Sequence, residues 1–337
     1  MRYRKSLKII VLVIIVLFVC IAGFLVVKTM EVKRGKELAL GEIANARYNK
    51  MSFNGAVKKL SVLPIIDFYT INPGLKTEAG VSYLIKADDA VILFDVGFNS
   101  ENKNPSPLIY NMQKLGINIR DIGMIFISHP HLDHVGGSAD QAAGTFSLTQ
   151  GETGIKNITA YTPGGLAASQ WNRNIAVREV KAPLLIRPGI ASIGTIPRFL
   201  FIAGMVHEQS LAINVEKKGI VLIIGCGHPS VERIIERSRA LFKERIYAII
   251  GGLHFPINGG RINIGPLNLQ YMVGKDSPPW DGLDMKDMDS AIQSMKNVNP
   301  AIIALSPHDS SDWALARFAD AFKERFSIIK VGEMLQL

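Results

Sequence analysis

The run of apolar and polar positions divides the chain into three unequal parts. From Ile9 to Val27 nineteen residues pass without a charge, and at a helical rise of about 1.5 Å per residue they span roughly 28 Å, close to a bilayer core. Arg2, Arg4, Lys5 and Lys8 precede this run, so the positive-inside rule places residues 1–8 in the cytosol and the chain beyond Lys28 on the far side. The run is long for a cleaved signal peptide and no small-x-small site follows it, which makes residues 9–27 an expected uncleaved signal anchor in the cell membrane. Residues 28–58 are polar and mixed, a stalk with a helical pattern from Glu37 to Tyr48.

Beyond Leu60 the pattern changes to short apolar, β-branched runs of strand length: Val81–Ile85, Val91–Phe94, Met124–Ile127, Leu211–Val215, Ile220–Ile224, Tyr247–Ile250 and Ala301–Leu305. Between them apolar residues recur every three or four positions, as helices do. Leu108, Met112 and Leu115 form one such set, closed by Gly116. Val231, Ile234, Ile235 and Leu241 form a second, Met288, Ala291, Ile292 and Met295 a third, and Leu315, Phe318, Ala319 and Phe322 a fourth. This alternation predicts one α/β domain over residues 59–337. The Pro- and Gly-rich stretch from Phe255 to Asp284 is expected to be a long loop, a lid or binding segment.

Composition narrows the class. With 337 residues, 48% hydrophobic and 20% charged, disorder, collagen and coiled coil are excluded. Two distant cysteines, Cys20 and Cys226, exclude a disulfide framework. The net charge of +9 would suggest nucleic acid, yet residues 1–36 hold eight Lys/Arg against Glu31, which leaves about +2 for the rest. A domain so near neutrality lacks the basic footprint of a nucleic-acid partner, and a small-molecule substrate is expected instead.

Candidate chemistry is concentrated in Ser128-His129-Pro130-His131-Leu132-Asp133-His134, directly after the apolar strand Met124–Ile127. Four potential metal ligands lie within six residues, followed by Gly136-Gly137, where the backbone turns tightly. In an extended segment His129 and His131 share a face, while Asp133 and His134 are carried around the turn, an arrangement able to feed two neighbouring ions. Imidazole nitrogen and carboxylate oxygen suit divalent ions such as Zn2+, with Mn2+ or Fe2+ as alternatives. Of the four other histidines, His228, His254 and His308 each follow an apolar strand within a few residues, as does Asp95. Ligand sites in α/β folds gather at the carboxyl ends of strands, so these residues are candidates to complete the site.

These motifs resemble the metallo-β-lactamase fold superfamily, whose His-x-His-x-Asp-His signature matches His129 to His134 without a gap. The resemblance runs from about Leu60 to the C-terminus and implies an αββα four-layer sandwich with a dinuclear metal site at one edge. Phe94-Asp95-Val96-Gly97, Glu208-Gln209-Ser210-Leu211, Gly225-Cys226-Gly227-His228-Pro229, Gly251-Gly252-Leu253-His254 and Pro307-His308 further resemble the branch named for dihydropterin ribofuranosylaminobenzene-phosphate synthases. That name covers a diverse set, so its substrate is not carried over. The resemblance implies His129 and His131 on a first ion, Asp133 and His134 on a second, His228 and His308 as completing ligands, and Asp95 in support of the ligand loop. Two departures stand out. Gly225-Cys226 replaces the usual Gly-Asp whose carboxylate bridges the ions, leaving Cys226 either a thiolate ligand or a buried spectator beside a ligating His228. His207 stands where the nearer branch carries an aspartate and is a further ligand candidate, as is His254.

The expected activity is metal-dependent hydrolysis of a phosphodiester or ester-type bond, with Asp133 both ligand and proton acceptor and His134 beside it. A β-lactam or lactone substrate is one alternative. A membrane-tethered binding or sensor protein with little turnover is another.

Overall fold

The computed structural model describes residues 2–265 and 267–337. Met1, at the head of the basic stub, and Pro266, within the 255–284 loop, lie outside the described residues, as do the side chains of residues 2–5. One helix, Arg2–Asn45, carries the whole apolar run and continues into the polar segment without a break. Its most apolar window has a mean hydropathy of 3.6 and no buried residue, so the helix is long and apolar enough to cross a membrane. The second half behaves differently. Val32, Gly35 and Ala39 are buried and Ile43 half-buried, a stripe at spacings of three and four that lies against the strand Ile190–Leu200. Gly35 leaves room there for Phe199: a Cβ at this position would stand 2.1 Å from the Phe199 ring.

The domain is built from two seven-stranded sheets. In the first the strand order is Leu335–Gln336, Leu60–Ile66, Ser82–Ala87, Ala90–Phe94, Met124–Phe126, Thr159–Thr162 and Ala176–Glu179, antiparallel up to Ala90–Phe94 and parallel beyond it. In the second the order is Phe326–Ile328, Ile302–Leu305, Ile246–Gly251, Gly219–Ile224, Gly204–Val215, Ile190–Leu200 and Leu184–Arg187, parallel up to Gly219–Ile224 and antiparallel beyond it. Between the sheets lies one apolar core, with Val62, Tyr83, Ile92 and Phe126 from the first sheet meeting Leu211, Ile213, Val221 and Ile250 from the second. A second core joins the outer face of the second sheet to the helices Val231–Leu241, Met285–Val298 and Asp312–Phe322. The third covers the first sheet with the helix Pro107–Lys114 and the segments around Phe146 and Ile155. Three cores between four layers make the expected αββα sandwich.

All seven predicted strands and four predicted helices are present. The strands Leu60–Ile66 and Ile190–Leu200 were not expected. In the second, Gly194 and Pro197 resemble breakers, but a bulge between Ser192 and Thr195 absorbs the glycine, and Pro197 pairs with His207 on the neighbouring strand. After the strand Met124–Phe126 the ligand segment stays extended to His131, then makes a single helical turn, Leu132–Val135, ended by Gly136 at φ 98°. The expected change of direction between His131 and Asp133 is therefore made by a helix and not by an open loop.

Candidate metal centre

Five parallel strands deliver their carboxyl ends to one edge of the sandwich. Ala90–Phe94 leads to Asp95, Met124–Phe126 to Ser128 and His129, Gly219–Ile224 to Cys226 and His228, Ile246–Gly251 to His254, and Ile302–Leu305 to Ser306 and His308. The chain approaches closely there. A Cβ on Gly225 would stand 2.3 Å from Ser128 Oγ, so only glycine lets the Cys226 turn reach the ligand segment.

Among the described residues, three overlapping groups present ligand atoms within 4.8 Å of one another: His129, His131 and His228; Asp133, His134, Cys226 and His308; and Cys226, His228 and His254. In the first group His131 Nδ1 stands 3.1 Å from His129 Nε2 and 3.0 Å from His228 Nε2. In the second, Cys226 Sγ lies 3.1 Å from His134 Nε2 and 3.3 Å from His308 Nε2, and Asp133 Oδ2 is 3.5 Å from His134 Nε2. The sequence left Cys226 and His228 as competing candidates. The geometry keeps both, with His228 in the first group, Cys226 in the second and the two together with His254 in the third.

Hydrogen bonds behind the ligands set which nitrogen is free. Asp95 Oδ1 accepts from the Ser128 amide, and its Oδ2 accepts from Ser128 Oγ and from His134 Nδ1, each at 2.7 Å. Having donated to Asp95, Ser128 Oγ is left to accept from His129 Nδ1 at 2.9 Å. Ser306 Oγ donates to Asp67 Oδ2 at 2.7 Å and accepts from His308 Nδ1 at 2.6 Å. In all three histidines Nδ1 is engaged by a hydrogen bond, so Nε2 is the nitrogen that faces the cluster; a second hydrogen bond of this kind fixes tautomer and ring orientation in metal sites. The Glu208 carboxylate holds the turn by accepting from the Gly227 and His228 amides, both at 2.8 Å.

Burial and crowding keep most of these rings neutral. His129, His228 and His308 are pushed well below the ordinary imidazole range by burial and by neighbouring histidines. Burial, helped by neighbouring His134, brings His131 and His254 to about 4 against the pull of Asp133 and, for His254, of the Gln270 carbonyl. His134 is the exception: burial works against its charge, but Cys226, Asp133 and Asp95 outweigh it and raise it well above that range. Burial also lifts the Cys226 thiol, despite His134. Asp133 goes the other way, since His134 and His308 overcome its burial and hold the carboxyl well below the usual carboxylate range. Imidazoles, an ionised carboxylate and a thiol gathered within 4.8 Å of one another form donor sets that fit divalent metal ions. His131 Nε2 and His228 Nδ1 are buried without partners among the described residues, an imbalance that ligation through their other nitrogens does not mend.

Of the two remaining candidates, one sits elsewhere and one belongs to the third group. His207 is partly exposed on the Ile190–Leu200 and Gly204–Val215 hairpin, where it pairs with the buried Pro197 and its Nε2 lies 3.1 Å from Glu42 Oε2 of the N-terminal helix, so the structure does not bring it to the cluster. His254 belongs to the third group: its Nε2 donates to the Gln270 carbonyl at 2.9 Å, and its Nδ1 is buried without a partner among the described residues. Gln270 also donates to the His308 carbonyl at 2.7 Å, so the 255–284 segment is fastened to the ligand strands rather than free. Asp67, Ser306, Glu208 and Gln270 were given no role from sequence. Asp67 follows the strand Leu60–Ile66, so the strand-end signal that found Asp95 would have found it had that strand been recognised.

Comparison with known proteins agrees with this geometry. Residues 75–143, which hold the ligand segment, match the family model described as the metallo-beta-lactamase superfamily. The 7,8-dihydropterin-6-methyl-4-(β-D-ribofuranosyl)-aminobenzene-5'-phosphate synthase of Methanocaldococcus jannaschii is 27% identical over 242 residues, covering 59% of this chain and 79% of that protein. Among solved structures, Tm1679, a metal-dependent hydrolase of the β-lactamase superfamily, superposes with a TM-score of 0.56 at 18% identity over 82% of this chain and 99% of its own. The metallo-β-lactamase fold protein YhfI from Bacillus subtilis gives 0.51 at 13% identity, with the same coverage. Sheet order, ligand segment and sequence match lead to one conclusion: residues 75–143 match the metallo-beta-lactamase superfamily model, and the chain has the fold of the solved metallo-β-lactamase fold proteins.

Proposed function

We propose that the protein is a membrane-anchored, metal-dependent hydrolase, holding two divalent ions and cleaving a phosphodiester or ester-type bond. The observation that carries this reading is the pair of adjacent ligand groups, each with its donor atoms already turned inward. His129, His131 and His228 would hold one ion, and Asp133, His134, Cys226 and His308 the other. When bound, such ions acidify water to a pKa of about 7 and polarise the oxygen of the bond under attack. The chain's own part is positioning. Asp95 and Ser128 orient His129 and His134, Asp67 and Ser306 orient His308, and Glu208 holds the Gly227–His228 turn.

Asp133 stays ionised and is the most accessible member of its group, so it presents a ligand oxygen at the mouth of the site. A carboxylate held so low is a weak base, and its contribution is chiefly to bind the second ion. The thiol of Cys226 favours zinc over harder ions. The bond type draws support from the phosphate-bearing product in the name of the Methanocaldococcus jannaschii relative. Anchoring rests on the apolar half of the Arg2–Asn45 helix, and the basic residues before it orient the domain away from the cytosol. Metal analysis of the purified full-length protein, followed by turnover of phosphodiester, ester, lactone and β-lactam substrates with and without chelator, tests this reading. Chelator-sensitive turnover of the first two classes is expected; a metal-containing protein inert to all four would support a binding role.

A further inference from the structure

On the His254 side of the metal centre lies a separate cavity of about 200 Å³. Its walls come from distant parts of the chain: Lys36 on the N-terminal helix, Arg198 on the strand Ile190–Leu200, Ser230 and Arg233 at the start of the helix Val231–Leu241, and Asp276 in the 255–284 segment. Gly227 and His254 close it toward the ligand turn.

The cations in this cavity are under-matched. Arg198 is only 8% exposed. Its Nη1 donates to the His228 carbonyl at 2.7 Å and its Nη2 to Asp276 Oδ1 at 3.2 Å, while its Nε is buried without an acceptor among the described residues. Arg233 Nη2 stands 3.9 Å from Asp276 Oδ2, and its Nη1 is likewise without an acceptor. Lys36 Nζ is 3.6 Å from the same carboxylate. Three cations therefore share Asp276. Lys275 is matched separately by Asp287 at 2.8 Å, and Glu232 is the remaining acid on the wall. Burial and the nearby Arg198 together pull Arg233 below its ordinary range, as expected where like charges lack a common partner. Leaving guanidinium donors buried and unsatisfied is costly, and an anion with several acceptor oxygens removes that cost. The helix adds to the pull: Ser230, at its N-cap with φ 82°, makes no side-chain capping bond, and a helix N-terminus favours negative charge.

We propose that this cavity is a subsite for a phosphate group carried by the substrate, held by Arg198, Arg233 and Lys36 beside the metal centre. The word substrate rests on the hydrolytic reading; the subsite itself rests on the cavity and its unmatched donors. A tetrahedral phosphate suits donors that arrive from three directions better than a planar carboxylate does. Lys36 lies nine residues beyond Val27 on one helix, roughly 14 Å along its axis. Close by, Phe201 packs with Val32, and the exposed Trp280 sets its ring edge-on to Phe201 at 6.1 Å, a placement typical of rings at a membrane interface. A phospholipid headgroup and a soluble phosphate ester are both within reach of the subsite.

The test is calorimetric titration of inorganic phosphate into the full-length, metal-loaded protein and into an Arg233→Gln/Lys36→Gln double variant with unchanged metal content. Saturable binding by the parent, weakened at least about tenfold in the double variant by loss of charge-assisted bonds, is expected. Arg233→Gln alone, which removes one of the charges, should still weaken binding several-fold while Arg233→Lys retains it, and equal affinity in all three decides against the subsite if the double variant does not fold. Absence of saturable binding by the parent, or equal affinity in parent and double variant, would overturn the subsite. Displacement of phosphate by phosphatidylcholine–phosphatidic acid vesicles assigns the group to a lipid, and displacement by glycerol 3-phosphate assigns it to a soluble ester. Because turnover plays no part in the readout, an inactive protein would defeat the hydrolytic reading and leave this result standing.

Discussion

The two ligand groups are neighbours but make different demands on a metal. His129, His131 and His228 offer three imidazole nitrogens and no charge, a set that divalent ions from iron to zinc accept. Asp133, His134, Cys226 and His308 offer a carboxylate, two imidazoles and a thiol. Burial keeps that thiol protonated, so a metal must displace its proton to gain the sulfur. The comparison teaches that two neighbouring donor sets can differ in selectivity when one adds a carboxylate and a cysteine thiol to its imidazoles.

The largest effect is expected at His131, whose Nδ1 touches both other ligands of its group. His131→Ala should lower metal affinity and turnover by more than about 100-fold, beyond what loss of a supporting residue costs. Elemental analysis and steady-state rates check this, with circular dichroism expected to be unchanged because the three apolar cores do not involve His131. Cys226→Ser attacks the other group. The variant should lose the preference for zinc over manganese in the second ion and become resistant to peroxide, which should inactivate the parent. If Cys226→Ser binds and turns over as the parent does, the two groups are not chemically distinct and the thiol is a spectator.

Asp95 serves both groups, through Ser128 to His129 and directly to His134. Asp95→Asn should therefore weaken both ions together, by about 10- to 100-fold, as read from competition with a chromogenic chelator. Loss confined to one ion would show that Asp95 orients only one group. At the small end, His207→Ala should leave metal content unchanged and stability within about 0.5 kcal/mol, because its partner is an exposed carboxylate on the N-terminal helix.

Much of this was legible in the sequence because its signals are local. Four ligands sit within six residues, and Cys226, His228, His254 and His308 each follow an apolar run whose end marks the active edge. Signals that depend on pairing were less visible. The strand Ile190–Leu200 is held by its neighbours in spite of Gly194 and Pro197, and with it Arg198 was missed. Asp67 and Ser306 meet only because the first strand of one sheet and the last parallel strands of the other converge at the same edge. The docked half of the N-terminal helix escaped notice for a similar reason: Gly35 and Ala39 are too small to register as an apolar face until Phe199 is placed against them.

Metal stoichiometry tests the central claim, that each group holds its own ion, most directly. Atomic emission analysis of the full-length protein, the parent beside His131→Ala and His308→Ala, should give about two ions per chain in the parent. Each variant should retain only the ion of its untouched group. A parent with less than one ion, or variants that both keep the parent's content, would contradict the assignment of these residues as two ligand sets.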